Sequence, residues 1–310
     1  MLHKTKLWCG WLLVCSYVFY GWWHPYYVLL ILWSTCIDFF AVAAMDSIHS
    51  QTSFKEKKHF WQTRKFWLTT SIINNLGILF FFKYADFAVQ NLNKLLDRTS
   101  IPFIISSPSS WMPFGWEYIL PVGISFYTFQ SMSYSIDFYR GHVVREKNFI
   151  RFATYVAFFP QLVAGPIERA SRLLPQFSNT IKFTKENISS GCWVFLVGLF
   201  KKVALANYIA IFVEQVFEFP EDHSCADIWV ATFLFGWQIF FDFSGYTDMA
   251  RGIARIIGFD LCLNFNAPYT AHSLTDFWRR WHISLSSWFR DYVYIPLGGS
   301  RKGPVLIYVN

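Results

Sequence analysis

The sequence predicts an all-α membrane protein that crosses the bilayer about six times. Three observations carry that expectation. Apolar residues make up 54% of the 310-residue chain and charged residues only 15%. A soluble domain carries roughly 25% charge, so this chain has too little polar surface to face water on all sides. The apolar residues also fall in continuous runs of bilayer length, bounded by Lys and Arg clusters. The strict alternation of outer-membrane barrel strands is missing from them.

The elements follow in order. His3, Lys4 and Lys6 precede the first run, 7–23. A signal peptide would start in the same way, but "YGWWHPYY" follows where a small-residue cleavage site would stand, so an uncleaved span is expected. Trp22, Trp23, Tyr26 and Tyr27 around Pro25 form an interfacial belt before the second run, 26–45. Lys55, Lys57, Lys58, Arg64 and Lys65 place the loop 46–65 in the cytoplasm. A third span, 66–82, leads to a Ser- and Pro-rich outer loop, 83–117. The fourth, 118–138, opens on "LPVGISFY", where Pro121 and Gly123 predict a helix break. Arg140, Arg145, Lys147 and Arg151 then bring the chain back inside. Spans 191–213 and 226–246 flank an acidic outer stretch holding Glu214, Glu218, Glu221, Asp222 and Asp227.

One run does not fit as a crossing. "FATYVAFFPQLVAGP", 152–166, is short and broken by Pro160, Gly165 and Pro166. A crossing here would put Arg169, Arg172, Lys182 and Lys185 outside, against the charge rule. A re-entrant segment keeps every loop on its side, and such backbone must be buried in protein or line a cavity. A partly wet cavity is therefore expected beside it. From 247 on, Ile253, Ile256 and Ile257 alternate with Arg251 and Arg255, which predicts interfacial amphipathic helices to about 290. The whole, 1–310, reads as a single membrane domain.

Several function classes drop out. The six cysteines show no metal-ligand spacing and sit mostly in apolar runs, so neither a metal site nor a disulfide framework is expected. The net charge of +7 lies between spans, as topology signals do, and does not imply nucleic acid. No phosphate-cradling loop, dinucleotide fingerprint or GxSxG elbow occurs.

The polar groups concentrate in "DFWRRWHISLSSWFRDYVYIPLGG", 276–299. Read as one helix capped by Ser273 or Thr275, this stretch pairs Asp276 with Arg280 at i+4. Trp278, His282 and Ser286 then stack on one face, with Arg279 a turn before His282. An ordinary interfacial helix accounts for Arg near headgroups and Trp at the interface, with His282 as a packing residue. A functional reading rests on the titration of histidine near neutral pH and on the cost of ionisable groups in membranes. Spacing leaves both open. Asp242 in "FFDFSGYTDMA" fits a structural ion pair or the lining of a substrate path, and Asn74 and Asn75 fit interhelical hydrogen bonding.

Four ordered stretches, "LPVGISFYTFQSMSYSIDFYRG", "FFPQLVAGPIERASRLLPQF", "FDFSGYTDMARGIARIIGF" and "FWRRWHISLSSWFRDYVYIPLGG", resemble the membrane-bound O-acyltransferases, above all the bacterial branch that acetylates alginate and other exopolysaccharides. This resemblance implies an inner-membrane, multi-pass enzyme that moves an acyl group from acetyl-CoA to polysaccharide hydroxyls. It implies no bound cofactor or metal and no nucleic acid, but membrane lipid and periplasmic acetylation partners. His282 matches one of the two polar positions tied to activity in the family. The other, a histidine in a later apolar span, has no match here, so the chain is expected to be an internal portion of a longer enzyme. Arg279, Arg280, Trp278, Ser286 and Asp242 are the candidates for donor or substrate binding. A transporter or flippase, which also has broken helices around a cavity, and an inactive membrane scaffold are the competing readings.

Overall fold

A computed structural model of the chain describes residues 7–50, 63–99, 103–113, 116–179 and 183–301. His3, Lys4, Lys6, Lys55, Lys57, Lys58 and Lys182 lie outside the described residues. Among those described, every regular element is helical. In chain order they are α1 (Trp8–Gly21), α2 (Tyr27–Ser50), α3 (Arg64–Arg98), α4 (Ile124–Arg140), α5 (Phe149–Ala157), α6 (Phe159–Leu162), α7 (Ala170–Ser178), α8 (Lys185–Phe200), α9 (Asn207–Glu218), α10 (Cys225–Ile256), α11 (Leu274–Arg280), α12 (Ile283–Phe289) and α13 (Ile295–Leu297). Among the described residues, four helices are long and apolar enough to cross a membrane: Tyr27–Ile48, Arg64–Arg98, Lys185–Glu218 and Cys225–Ile256. The third of these joins α8 to α9 through a π-helical turn, Lys201–Ala206. The expected runs at 7–23 and 118–138 become the shorter helices α1, of 14 residues, and α4, of 17.

The chain forms two compact units, one of residues 1–163 and 169–177, the other of 164–168 and 178–310. In the first, α2, α3 and α4 pack around a buried polar knot. Ser71 Oγ donates to Asp38 Oδ1 at 2.6 Å, Asn75 Nδ2 donates to both Asp38 oxygens at 3.0 Å, and Ser34 and Ser131 donate to Asn75 Oδ1 at 2.8 and 3.1 Å. A carboxylate in an apolar bundle is tolerable only when its lone pairs are met in this way. Asn75 is thus the interhelical hydrogen-bonding residue the sequence suggested. Asn74 Oδ1 accepts from Trp33 Nε1 at 2.9 Å.

The break expected at Pro121 and Gly123 is present, since α4 begins at Ile124. Gly123 has φ +73°, and a Cβ there would sit 2.3 Å from the Leu162 carbonyl oxygen. No other residue type fits this close approach. The 152–166 run is also broken: α5 stops at Ala157, Phe158 turns to ψ 108°, and α6 lasts four residues. Phe159 N–H is diverted to Ser16 Oγ at 3.2 Å, and the Tyr155 carbonyl accepts instead from Gln130 and Gln161 amides at 2.6 and 3.1 Å. Phe152, Tyr155 and Phe158 are fully buried, so this backbone is covered by protein.

In the second unit the α8–α9 helix runs antiparallel to α10, with backbones in contact through two glycine pairs. A Cβ on Gly198 would lie 2.5 Å from Gly245 O, and one on Gly191 2.8 Å from Gly252 O. Ser224 and Asp227 start α10 with a reciprocal capping box at 3.0 and 3.2 Å. The helix then continues to Ile256. The interfacial helix expected from 247 is therefore not a separate element: no breaker interrupts 247–256, Gly252 is used for packing, and the chain turns only at Gly258, φ +90°.

Candidate functional site

Beyond Gly258 the chain is non-helical through 266, and this segment shapes the site. Helix α11 starts as expected: Ser273 Oγ accepts from Asp276 N–H at 3.1 Å, and Arg280 Nε donates to Asp276 Oδ1 at 3.0 Å. The single helix expected through Ser286 is broken, however. Trp281 is extended (φ −97°, ψ 127°) and His282 is left-handed (φ 42°, ψ 54°) before α12 begins at Ile283. The physical reason lies in 259–266. Asn266 N–H takes the Arg280 carbonyl at 2.9 Å, and the Asn264 carbonyl takes Ile283 N–H at 2.9 Å. Backbone groups that a continuous helix would pair internally are paired across to this segment instead.

The break brings together what helical spacing alone could not. Trp278, Trp281, His282, Leu285, Ser286 and Phe289 line one cavity of about 540 Å³. Phe243 of α10 meets the His282 ring edge-on at 4.6 Å, and Phe265 lies nearly parallel to it at 6.3 Å. Trp281 is held by Phe265 at 5.1 Å and Phe277 at 5.5 Å. Ser286 Oγ donates to the Trp281 carbonyl at 3.1 Å. His282 sits outside the four helices long enough to span. Burial pushes its imidazole down to about 4, so at neutral pH the ring is uncharged and offers one N–H and one lone pair.

The other sequence candidates have different placements. Arg280 is engaged by Asp276 and, at 3.3 Å, by Thr270 Oγ1. Arg279 is exposed and is not among the lining residues. Asp242 accepts from Lys202 at the π-helical turn, while Asp248 bonds Lys201 at 2.7 Å and Arg251 at 3.3 Å. The two lysine pairs join α10 to its neighbour, the Asp248–Arg251 pair lies within α10, and Asp242 is still about half exposed (48%). Sequence reasoning missed Trp281, Leu285, Phe289, Phe243 and Phe265, and it missed Asn264 and Ser284 behind them. One signal was available: "NFNAPY", 264–269, has the Asn–Pro character of a turn that hydrogen-bonds neighbouring backbone.

Comparison with known proteins identifies the family of the chain. The profile of the membrane-bound O-acyltransferase family matches residues 18–308. The chain is 39% identical over 300 residues to "Probable alginate O-acetylase AlgI" of Pseudomonas putida, covering 96% of this chain and 58% of the relative. It is 38% identical to the protein of the same name from Pseudomonas aeruginosa, covering 96% and 54%. Against "Peptidoglycan O-acetyltransferase" of Helicobacter pylori it is 35% identical over 326 residues, covering 97% and 58%. The chain thus spans little more than half the length of these relatives. With four membrane-length helices and no strand among its described residues, and matched along nearly its whole length by one profile, the chain belongs to the membrane-bound O-acyltransferase family.

Proposed function

We propose that this chain supplies the His282 wall of an O-acyltransferase site that moves an acetyl group from acetyl-CoA to hydroxyls of an extracytoplasmic polysaccharide such as alginate. The observation that carries the reading is an imidazole, fixed in a left-handed turn, at the wall of an aromatic cavity of about 540 Å³. In the transfer the acceptor oxygen bonds the acyl carbon, the C–S bond breaks, and the hydroxyl proton ends on the thiol. A base works best with a pKa near the operating pH. An imidazole held near 4 is a weak base but a good neutral hydrogen-bonding group. His282 therefore orients donor or acceptor, and the second histidine of the family pattern takes the proton. Trp278 and Ser286 flank the same space, and exposed Arg279 is available to donor phosphates. Relatives named for alginate and for peptidoglycan support a polysaccharide acceptor, and periplasmic acetylation partners are part of the same proposal.

The finer topology belongs to the same proposal. Helices α1 and α4 serve as two further crossings, about 21 and 26 Å long, in the bacterial inner membrane as part of a single domain. Segment 152–166 enters and returns, and α11 and α12 lie at the cytoplasmic interface. A cysteine at Arg169 that labelled only from outside would defeat this arrangement. For the chemistry, the full-length enzyme in membrane vesicles is supplied with labelled acetyl-CoA and alginate. His282→Ala is expected to abolish covalent transfer, and unchanged transfer would refute the proposal. Label that crossed the membrane without forming an ester would instead mark a transporter.

A further inference from the structure

His282 is set in place from outside its own helix. It occupies the N-cap position of α12, where a Ser, Thr, Asp or Asn side chain ordinarily accepts the first N–H groups, and its imidazole makes no such cap. Asn264, fully buried in the 259–266 segment, does this work in trans. Its main-chain oxygen accepts from Ile283 N–H at 2.9 Å, and its Oδ1 accepts from Ser284 N–H at 3.1 Å and from Ser284 Oγ at 2.9 Å. Ser284 is buried too, and its hydroxyl accepts from Ile167 N–H at 3.0 Å.

We infer that Asn264 is a positioning residue for acyl transfer, capping α12 across the chain so that His282 can hold its left-handed backbone and face the cavity. The inference rests on the acyl-transfer reading above. An N-cap residue that must also present a functional imidazole cannot spend its side chain on the helix; moving the cap to another segment frees it. The chemistry needed at position 264 is specific. A backbone N–H only donates, so oxygen must face Ser284. The Asn264 Nδ2 is buried and meets no acceptor among the described residues. Only the acceptor of the amide is used.

That asymmetry defines the test. Asn264→Asp keeps the acceptor, places charge where a helix N-terminus favours it, and gives up a donor that pairs with nothing described. Asn264→Ala removes the acceptor from two donors at once. In the full-length enzyme with labelled acetyl-CoA and alginate, Asn264→Ala is expected to lower kcat by up to ~10²-fold, the scale of an ångström-level misplacement, with KM nearly unchanged, and Asn264→Asp to restore most of it. A second readout needs no turnover: carbethoxylation of His282 by diethyl pyrocarbonate, followed by mass spectrometry. Its rate should change several-fold in Asn264→Ala and stay near wild type in Asn264→Asp. If Asn264→Ala does not accumulate, Asn264→Ser, whose acceptor is too short to reach, takes its place. Wild-type kcat and modification rate in Asn264→Ala, or equal damage from Asp and Ala, would overturn the inference. A wild-type enzyme that transfers nothing, yet shows this modification pattern, would leave the cap standing and remove the acyl-transfer reading.

Discussion

A buried imidazole and an interfacial one differ most in acid, and His282 can be read directly. With burial holding it at about 4, about 97% of the ring remains neutral at pH 5.5, against roughly 9% for an imidazole at its ordinary 6.5. Carbethoxylation requires the neutral form. Between pH 7.5 and 5.5 the modification rate of His282, corrected for reagent hydrolysis, should therefore fall by less than about a tenth, where an exposed histidine loses about tenfold. Phe243→Ala removes the ring that meets it at 4.6 Å and lets water in, so its titration should move up towards 6.5 and an acid limb of several-fold should appear. The same displacement links to stability. The unfolded chain takes up a proton between pH 6.5 and 4 that the folded chain refuses. Stability is thus fully present above 6.5 and is lost as pH falls towards 4, by about 2 kcal/mol between pH 7 and 5. A tenfold fall in the wild-type modification rate by pH 5.5 would refute both the burial argument and the neutral role built on it.

Three further outcomes follow from the packing. Gly198→Val places carbon 2.5 Å from Gly245 O and should cost roughly 1–3 kcal/mol of overpacking, seen as a lower melting temperature in detergent; Gly236→Ala, whose nearest neighbour is 3.6 Å away, should leave it unchanged. Asn75→Leu strips two hydrogen bonds from buried Asp38 and should destabilise by about 3 kcal/mol, measured in the same melts. Asp242→Lys and Lys202→Asp should each reduce accumulation in membranes and the double exchange should recover it; recovered protein without recovered transfer would return Asp242 to a substrate path.

Much of the fold was legible because its signals are local. Apolar runs, the break at Pro121 and Gly123, the discontinuity inside 152–166 and the Ser273 cap all depend on neighbours within a few residues. Two features were not. The pattern of Ile253, Ile256 and Ile257 against Arg251 and Arg255 is the same whether a helix lies on an interface or finishes a span, so α10 could not be seen to continue through it. The turn at His282 is set by Asn264 and Asn266, 18 and 16 positions earlier, reaching the backbone on either side of the break. Helical spacing nonetheless chose Trp278, His282 and Ser286, which share the cavity by a route other than one continuous face.

The backbone itself argues against a plain interfacial helix. Among the described residues, the non-glycine positions with positive φ are Ala267 and His282. They lie on the two sides of one contact, the Asn266–Arg280 hydrogen bond. Ala267 precedes Pro268, whose ring closes the right-handed helical region to it. His282 has no such excuse, and a left-handed β-carbon costs roughly 1–2 kcal/mol. A helix whose task was to lie on headgroups would avoid that cost simply by continuing through Trp281 and His282. Here the structure over-determines the turn instead, with Asn266 holding one side, Asn264 the other and Ser286 pinning the Trp281 carbonyl. Strain maintained by several independent bonds, at the residue that puts an imidazole on a cavity wall, is the arrangement expected where geometry serves chemistry.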